Sequence, residues 1–330
     1  MPAHVNRLLV GDIGGTKTRL AIAGVDGNRV RIERETDYPS RSVVAFEAVL
    51  EDFLKASPVP ACAAFGIAGP VRGRKVRATT LPWYIEADAL QQRFGFRHCV
   101  LLNDLEAIAH GLPALGEDDL LALQQGEPDA RGNAAVIAAG TGLGEAGLYW
   151  DGQRHHPFAT EGGHSSFCPQ SELEMELLRY MQKRYWHVSW DRVVSGMGLL
   201  DLHDFLRIYR KSSVPQWLAE EMRGSDAASA ISRAALGGSD AICIETMELF
   251  VHLYGAEAGN LALKTMSLGG LYVGGGIAPK ILPLLQRGAF IDAFRGNGRM
   301  RHLLEAMPVR VILNDRAALY GPALCAARVT

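Results

Sequence analysis

The stretch from Leu8 to Gly24 constrains the fold more than any other part of the chain. An apolar run there ends in an acid, two adjacent glycines and a hydroxyl residue, at Gly11-Asp12-Ile13-Gly14-Gly15-Thr16. In a Walker A loop or a dinucleotide-binding fold, a helix follows the glycines. Here β-branched and apolar residues resume at once and end at Asp26-Gly27. The pattern therefore predicts a strand, a tight turn and a second strand.

The glycines make this turn a candidate phosphate site. Without a Cβ atom, they let backbone N–H groups come close to an anion. Asp12 has the same sign of charge as a phosphate, so we expect it to act through a metal ion or its bound water. An ordinary hairpin with a glycine turn is the alternative that this stretch leaves open.

Composition places the chain among globular enzymes. Its 330 residues suggest about two domains, and 48% of them are hydrophobic and 21% charged. The net charge is −2 and acidic and basic residues are interspersed, so the sequence shows no basic patch that would bind nucleic acid or an anionic membrane. No apolar run reaches the roughly 20 residues of a membrane helix. The five cysteines form no C-x-x-C pair, which argues against a cysteine-based zinc site. With no signal-peptide pattern, we expect a cytoplasmic protein.

Strand and helix signals alternate along the first third of the chain. This alternation predicts an α/β domain. From the spacing of apolar residues we expect helices over 43–54 and 85–94, and strands over 30–36, 61–67, 74–80 and 98–102.

A second strand–turn–strand unit lies in the middle of the chain. The apolar run 134–139 is followed by Gly140-Thr141-Gly142-Leu143-Gly144, and extended character resumes at 146–150. A third glycine run, Gly274-Gly275-Gly276, follows a strand predicted over 271–273. The echo between the units predicts two related halves that face a cleft.

Helical patterns dominate the segments 171–186 and 195–268. The second segment is interrupted near Gly224-Ser225 and again over 237–239. In its last helix Gly255 and Gly259 lie on one face and would permit close packing. A final strand over 309–313 leads into an alanine-rich closing helix.

With these three glycine turns the chain resembles the sugar kinase branch of the actin-like ATPases, and within it the bacterial glucokinase family, over nearly its whole length. The resemblance implies an α/β actin-like ATPase (ribonuclease H-like) fold with two lobes and an interdomain cleft. The small lobe would contain residues 1–110 and 312–330, and the large lobe 111–311 with helical insertions.

The same resemblance implies a site for ATP and Mg²⁺. The first two turns look like the family's phosphate loops, and the third looks like its adenosine motif. Asp12 would organise Mg²⁺ through water. The implied cofactor-binding residues are Gly11, Asp12, Gly14, Gly15, Thr16, Lys17, Gly140, Thr141, Gly142, Gly274, Gly275 and Gly276.

Asn103-Asp104 resembles the family's Asn-Asp pair at a strand end. A carboxylate there can accept the proton of a sugar hydroxyl that attacks the γ-phosphate. We therefore expect Asp104 to be the general base and both residues to contact the sugar. Position alone favours another role for Asp104, as the N-cap of a helix that begins at Leu105.

Glu161-Gly162-Gly163-His164 resembles the family's sugar-binding loop, with Glu161 and His164 as ligands of sugar hydroxyls. A metal site is the competing interpretation, and it would be formed by His155, His156, Glu161 and His164.

Two residues depart from the family pattern on what we expect to be the sugar side. Asp191 stands where the family normally has Glu, one methylene longer. Thr80 stands where Asn is usual, so it keeps a hydroxyl and loses the amide's paired donor and acceptor. We include both among the expected sugar ligands, and we expect the phosphate side to be intact.

ROK sugar kinases and repressors usually carry a cysteine-rich zinc motif after their Glu-Gly-x-Gly-His segment. This chain has only Cys168 there and no N-terminal helix-turn-helix, which favours the glucokinase group. The implied activity is MgATP-dependent phosphorylation of glucose, or a similar hexose, at the 6-hydroxyl. A glycolytic homodimer is implied as well. A kinase for another hexose and a catalytically weak sugar sensor stay open, because of Asp191 and Thr80.

Overall fold

Two large sheets and one small sheet organise the computed structural model of this chain. The structure describes residues 7–329 except Ser57 and Ser225, so Met1–Asn6 and the predicted helix break at Ser225 lie outside the described residues in whole or in part. Within the described residues, no helix is both long and apolar enough to cross a membrane.

Strands and helices are numbered along the chain. The strands are β1 (Leu8–Ile13), β2 (Lys17–Asp26), β3 (Arg29–Pro39), β4 (Cys62–Ile67), β5 (Val71–Arg72), β6 (Lys75–Arg77), β7 (Tyr84–Glu86), β8 (His98–Asn103), β9 (Leu120–Gln124), β10 (Ala134–Ala139), β11 (Leu143–Trp150), β12 (His155–Ala159), β13 (Gly270–Gly274) and β14 (Val309–Ile312). The α-helices are α1 (Phe46–Leu54), α2 (Ala87–Phe94), α3 (Asp104–Gly111), α4 (Glu172–Gln182), α5 (Trp190–Val193), α6 (Gly196–Tyr209), α7 (Gln216–Gly224), α8 (Ala227–Leu236), α9 (Ala241–Thr265), α10 (Leu282–Leu285), α11 (Ala289–Phe294), α12 (Arg301–Ala306) and α13 (Ala317–Arg328).

The first sheet has the strand order β3-β2-β1-β4-β8. Strands β1, β2 and β3 pair antiparallel, whereas β1, β4 and β8 run parallel. The register places Ile13 beside Ile67, and Ile67 beside Asn103. The carboxyl ends of the three parallel strands therefore meet at one edge, and the predicted strand–turn–strand unit is confirmed.

The second sheet repeats this plan, with the order β12-β11-β10-β13-β14-β9. Strands β10, β11 and β12 are antiparallel, and β10, β13 and β14 are parallel. The echo seen in the sequence thus corresponds to a repeated sheet topology, and the expected fold class is confirmed. The edge strands β9 and β12 were not predicted from the sequence, and their side chains are mostly half-buried or exposed.

The last helix, α13, packs on the first sheet. Leu319 and Ala323 share a buried cluster with Leu8 and Val10 of β1. Gly321 lies so close to α3 that a Cβ atom would overlap the Ala107 carbonyl. The division of the chain at residues 110 and 312 stays a prediction.

The long helical segment consists of α6, α7, α8 and α9. One break was not expected: α6 ends before Lys211, whose φ of 54° no helix tolerates. The predicted close packing at the two glycines of α9 is confirmed, since Gly255 lies against the Phe290 backbone and a Cβ on Gly259 would lie 2.5 Å from the Phe294 oxygen. Helix α2 begins two residues later than expected because Tyr84–Glu86 pairs as a strand.

Candidate active site

Asp104 lies where β8 ends and α3 begins. The helix is capped by Asn103, whose Oδ1 accepts the N–H groups of Leu105 at 3.0 Å and Glu106 at 3.3 Å. Glu106 completes a capping box, because its carboxylate accepts the Asn103 N–H. The expectation that Asp104 is the N-cap is therefore wrong, since the cap is one residue earlier and Asp104 is the first helical residue.

The surroundings of Asp104 disfavour its charged form. Burial, followed by the negative charge of Asp12, raises the pKa of Asp104 to about 7, and the charge of Glu161 adds to the rise. The Leu105 N–H, which donates to Asp104 Oδ1 at 3.0 Å, opposes the rise. A carboxyl group that titrates near neutral pH suits general-base catalysis.

Asn103 has most of its amide committed to the protein. Besides the two bonds at Oδ1, its Nδ2 donates to the Gly69 carbonyl at 3.3 Å. An amide nitrogen has two donors, so one N–H stays available for a ligand. A sugar contact by Asn103 stays a prediction, and this geometry limits it to a donated hydrogen bond.

Ser40 stabilises the first glycine turn through hydrogen bonds. The Gly14 N–H donates to the Lys17 carbonyl at 3.0 Å, and the Ser40 hydroxyl donates to the Gly14 carbonyl at 2.8 Å. The Ser40 N–H donates to the Thr16 carbonyl at 3.0 Å. We did not identify Ser40 from the sequence, because nothing in its local pattern marks it.

Asp12 lies beside this turn. Burial raises the pKa of Asp12 to about 6, although the positive charges of Arg19 and Lys17 oppose the rise. Lys17 is exposed and forms an ion pair with Asp37 at 3.1 Å. Phosphate binding by Lys17 stays a prediction, and it would require Lys17 to leave Asp37.

Gly11 has a packing role inside β1. A Cβ atom at this position would lie 2.7 Å from the Leu20 side chain and 2.8 Å from that of Phe65. A larger side chain at position 11 would not fit between the strands. Gly11 is therefore a buried residue of the sheet and is not part of the glycine turn.

The second and third glycine turns touch each other. A Cβ on Gly275, whose φ is 83°, would overlap the Ala139 carbonyl oxygen, and the Ile277 N–H donates to the same carbonyl at 3.3 Å. The fully buried Tyr254 hydroxyl accepts the Ala139 N–H at 3.1 Å and lies 3.4 Å from the Gly274 carbonyl. Tyr254, which the sequence did not single out, therefore ties the two turns to α9.

Asp191 and Thr80, the two residues that depart from the family pattern, both contact glycine turns. Asp191 Oδ1 accepts the Leu143 N–H at 2.7 Å, and a Cβ on Gly142 would lie 2.5 Å from the same oxygen. The Thr80 hydroxyl occupies the space that a Cβ on Gly15 would need. Sugar binding by Asp191 and Thr80 stays a prediction, and both residues also pack against the turns expected to hold phosphate.

Glu161 and His164 flank a short 3₁₀ turn, Gly162–His164, and both side chains are exposed. Glu161 Oε2 lies 3.8 Å from His164 Nε2. The turn packs against β11, since a Cβ on Gly163 would overlap the Leu143 carbonyl. The two side chains can thus present an acceptor and a second polar group to one ligand.

The competing metal site is not assembled. His155 Nε2 lies 2.9 Å from the Gly132 carbonyl, and His156 Nε2 lies 2.6 Å from Asp151. Among the residues described here, the one group of three such ligand atoms within 4.8 Å of one another belongs to His203, Asp240 and Cys243. None of the four expected ligands is in that group.

Asp104 lies close to residues of both large sheets and to the second glycine turn. Asp12 of the first sheet and Glu161, in the loop that follows β12 of the second sheet, both influence its ionisation. Leu105, the next residue, contacts Gly144 at the end of the second turn. The arrangement combines a group that can accept a proton with glycine turns whose backbone N–H groups can hold an anion.

The chain is similar to known proteins over nearly its whole length. The family model described as Glucokinase matches residues 9–329. The chain is 41% identical to a glucokinase of Nostoc punctiforme, over 98% of this chain and 99% of that protein.

Solved structures are similar to this chain as well. A glucokinase from an Antarctic psychrotroph has a TM-score of 0.83 and 30% identity, covering 98% of this chain and 99% of its own. A ROK family glucokinase from Streptomyces griseus, in complex with glucose and AMPPNP, has a TM-score of 0.66 and 22% identity, covering 98% and 99%.

Proposed function

This chain belongs to the glucokinase family, and we propose that Asp104 is the general base of its reaction, the ATP-dependent phosphorylation of glucose at the 6-hydroxyl. The enzyme is an ATP:glucose 6-phosphotransferase. The observation that carries the role of Asp104 is its position between Asp12 and Glu161 with a pKa of about 7. In its ionised form the carboxylate takes the hydroxyl proton as the oxygen attacks the γ-phosphorus.

Glucose binds between Asp104 and the loop of Glu161 and His164. Glu161 accepts hydrogen bonds from sugar hydroxyls, His164 donates or accepts one, and Asn103 donates its remaining N–H. Asp191 and Thr80 contribute from the side of the glycine turns. Their contacts with Leu143 and Gly15 support a position for the sugar directly beside the phosphates.

ATP binds along the three glycine turns. The Gly14 and Gly140 N–H groups donate to the Lys17 and Gly142 carbonyls and keep the two turns in shape. The backbone N–H groups of Gly15, Thr16, Thr141 and Gly142 hold the phosphates, and Gly274–Gly276 lies under the nucleoside. These N–H groups are fixed before the reaction, so they stabilise charge on the transferred group without reorganisation. The contact between Gly275 and Ala139 supports this, because it joins the nucleoside turn to the phosphate turn.

Asp12 fits a Mg²⁺ ion. Carboxylate oxygen is a ligand that Mg²⁺ prefers, and the ion usually keeps several waters and binds one or two carboxylates together with substrate phosphates. Within the described residues, the Asp12 side chain forms no hydrogen bond, and burial raises its pKa to about 6. A nearby cation would restore its charged form. Bound there, Mg²⁺ would neutralise phosphate charge.

We also propose that the protein is a cytoplasmic homodimer. Large apolar side chains at the surface support an interface, with Trp186 fully exposed and Ile208 59% exposed. Light scattering after size-exclusion chromatography measures the mass directly, and a mass of one chain would contradict the dimer.

A coupled assay of ADP release, with MgATP and a panel of hexoses, tests the activity. We expect kcat/KM to be highest for glucose, with little ADP released when sugar is absent, because lobe closure excludes water. A higher kcat/KM for mannose or an amino sugar would show a kinase for another hexose. Sugar binding without turnover would show a sensor.

A further inference from the structure

Two buried acids that the reaction does not use lie beneath the sugar loop. Glu145 is in β11 and is 2% exposed, and Glu257 is in α9 and is fully buried. Their carboxyl groups interact with each other. Glu145 Oε1 is buried and has no hydrogen-bond partner among the described residues. Because a buried acceptor without a donor is costly, this oxygen requires an explanation.

A shared proton provides that explanation. Burial, followed by the charge of Glu257, raises the pKa of Glu145 to about 8, and burial also raises the pKa of Glu257. Two carboxylates at one buried site cannot both ionise easily. Asn260 Nδ2 donates to Glu257 Oε2 at 2.8 Å, and Lys264 Nζ lies 3.5 Å from Glu257 Oε1. Lys264 balances one negative charge, so at pH 7 the pair holds one charge and one proton.

The pair is in direct contact with the loop that carries Glu161 and His164. Glu145 Oε2 occupies the space that a Cβ on Gly162 would need. The Thr160 hydroxyl donates to the Glu145 carbonyl at 2.9 Å, and the Gly162 N–H donates to the Thr160 oxygen at 3.2 Å. The side chain and the backbone of Glu145 therefore both support this loop.

We propose that Glu145 and Glu257 are positioning residues for the sugar loop, and that the proton they share keeps Glu161 and His164 in the arrangement that binds glucose. The inference rests on the proposed function, because it takes these two loop residues as glucose ligands. When the shared proton is lost, two negative charges face each other, Glu145 moves against Gly162, and glucose binds more weakly.

The other charged and titratable groups that face Glu145 come from α9. Lys264 supplies the positive charge beside Glu257, and Tyr254 stays uncharged because burial raises its pKa. From the loop itself, Gly162 brings no charge. Between pH 7 and pH 9 the buried pair therefore loses its shared proton. Asp104, with a pKa of about 7, completes the second half of its ionisation over the same range, and it does so alike in the wild type and in variants of the pair.

Isothermal titration with glucose alone, from pH 7 to pH 9, tests the proposal. We expect the wild-type Kd to rise by up to about tenfold, the limit for one proton lost over one pH unit above pH 8. Glu145→Gln and Glu257→Gln each remove the titration and keep the size of the side chain, so their Kd should change by less than about twofold. Glu248→Gln, at an exposed position of α9, is the matched control and should follow the wild type.

Either Gln variant alone suffices for the test if the other does not fold. A merely structural role predicts lower melting temperatures with an unchanged pH dependence of Kd, and that result would overturn the proposal. So would a wild-type Kd that is the same at pH 7 and pH 9. In both cases glucose phosphorylation by the wild type at pH 7 would leave the proposed function intact, whereas no glucose binding at pH 7 would contradict that function first.

Discussion

Replacing Asp104 by asparagine should stabilise the unliganded protein while it removes the base. Burial raises the pKa of this carboxyl from 3.8 to about 7. Above pH 3.8 the unfolded chain ionises Asp104, whereas the folded chain keeps the proton up to about pH 7. The contribution of this group to stability therefore falls as pH rises through this window, and above it the loss is complete.

The size of the effect follows from the same two values. The difference between them corresponds to about 4 kcal/mol, and the partial exposure of the side chain reduces this to about 2 kcal/mol. Asparagine can still accept the Leu105 N–H, so little is lost in exchange. For a chain of 330 residues, about 2 kcal/mol raises Tm by about 3 °C.

Thermal unfolding of the ligand-free protein at pH 5 and pH 8 measures this gain. We expect Asp104→Asn to unfold at a higher temperature than the wild type at pH 8, with a smaller difference at pH 5. Asp118→Asn, at an exposed position, is the control and should change Tm little at either pH. A variant less stable than the wild type at pH 8, or a gain that is equal at both pH values, would refute the reasoning.

Three further predictions concern the same site. The kcat/KM for glucose should rise with pH and pass through about half of its maximum near pH 7, because Asp104 must lose its proton to act as a base; a flat profile between pH 6 and pH 8 would contradict this. Tyr254→Phe leaves the Ala139 N–H buried without its acceptor, so chemical denaturation should show a free energy of unfolding that is lower by about 1–3 kcal/mol. A decrease below about 0.5 kcal/mol would contradict the role of Tyr254 in joining the two turns. Gly275→Ala forces a Cβ toward the Ala139 backbone at a φ of 83°, so KM for ATP should rise while KM for glucose stays nearly constant, and equal rises in both would disagree with a nucleoside role.

The strand–turn–strand units were predictable because their information is local. Apolar and β-branched residues resume directly after each glycine turn, and this pattern has few alternatives in a folded chain. The helical face of Gly255 and Gly259 was predictable for the same reason, since residues four apart lie on one face.

Contacts between distant parts of the chain were not predictable. Ser40 and Tyr254 lie in ordinary sequence surroundings, and only the folded chain brings them to the glycine turns. The cap at Asn103 was placed one residue late, because Asn and Asp are both good caps and local sequence does not rank them. The contact of Asp191 with the second glycine turn was not predicted. The Leu143 N–H that Asp191 accepts lies 48 residues away in the sequence, and the local pattern around Asp191 does not indicate it.

Glucose binding and ADP release by Asp104→Asn, measured side by side, test the central claim most directly. Loss of the general base should lower glucose-dependent turnover by about 10²–10⁴-fold. The Kd for glucose should stay within about threefold of the wild-type value, because the side-chain amide keeps the shape of the carboxyl and its oxygen can still accept a hydrogen bond from a sugar hydroxyl. Turnover retained above a few per cent, with glucose still bound, would remove Asp104 from the role of base.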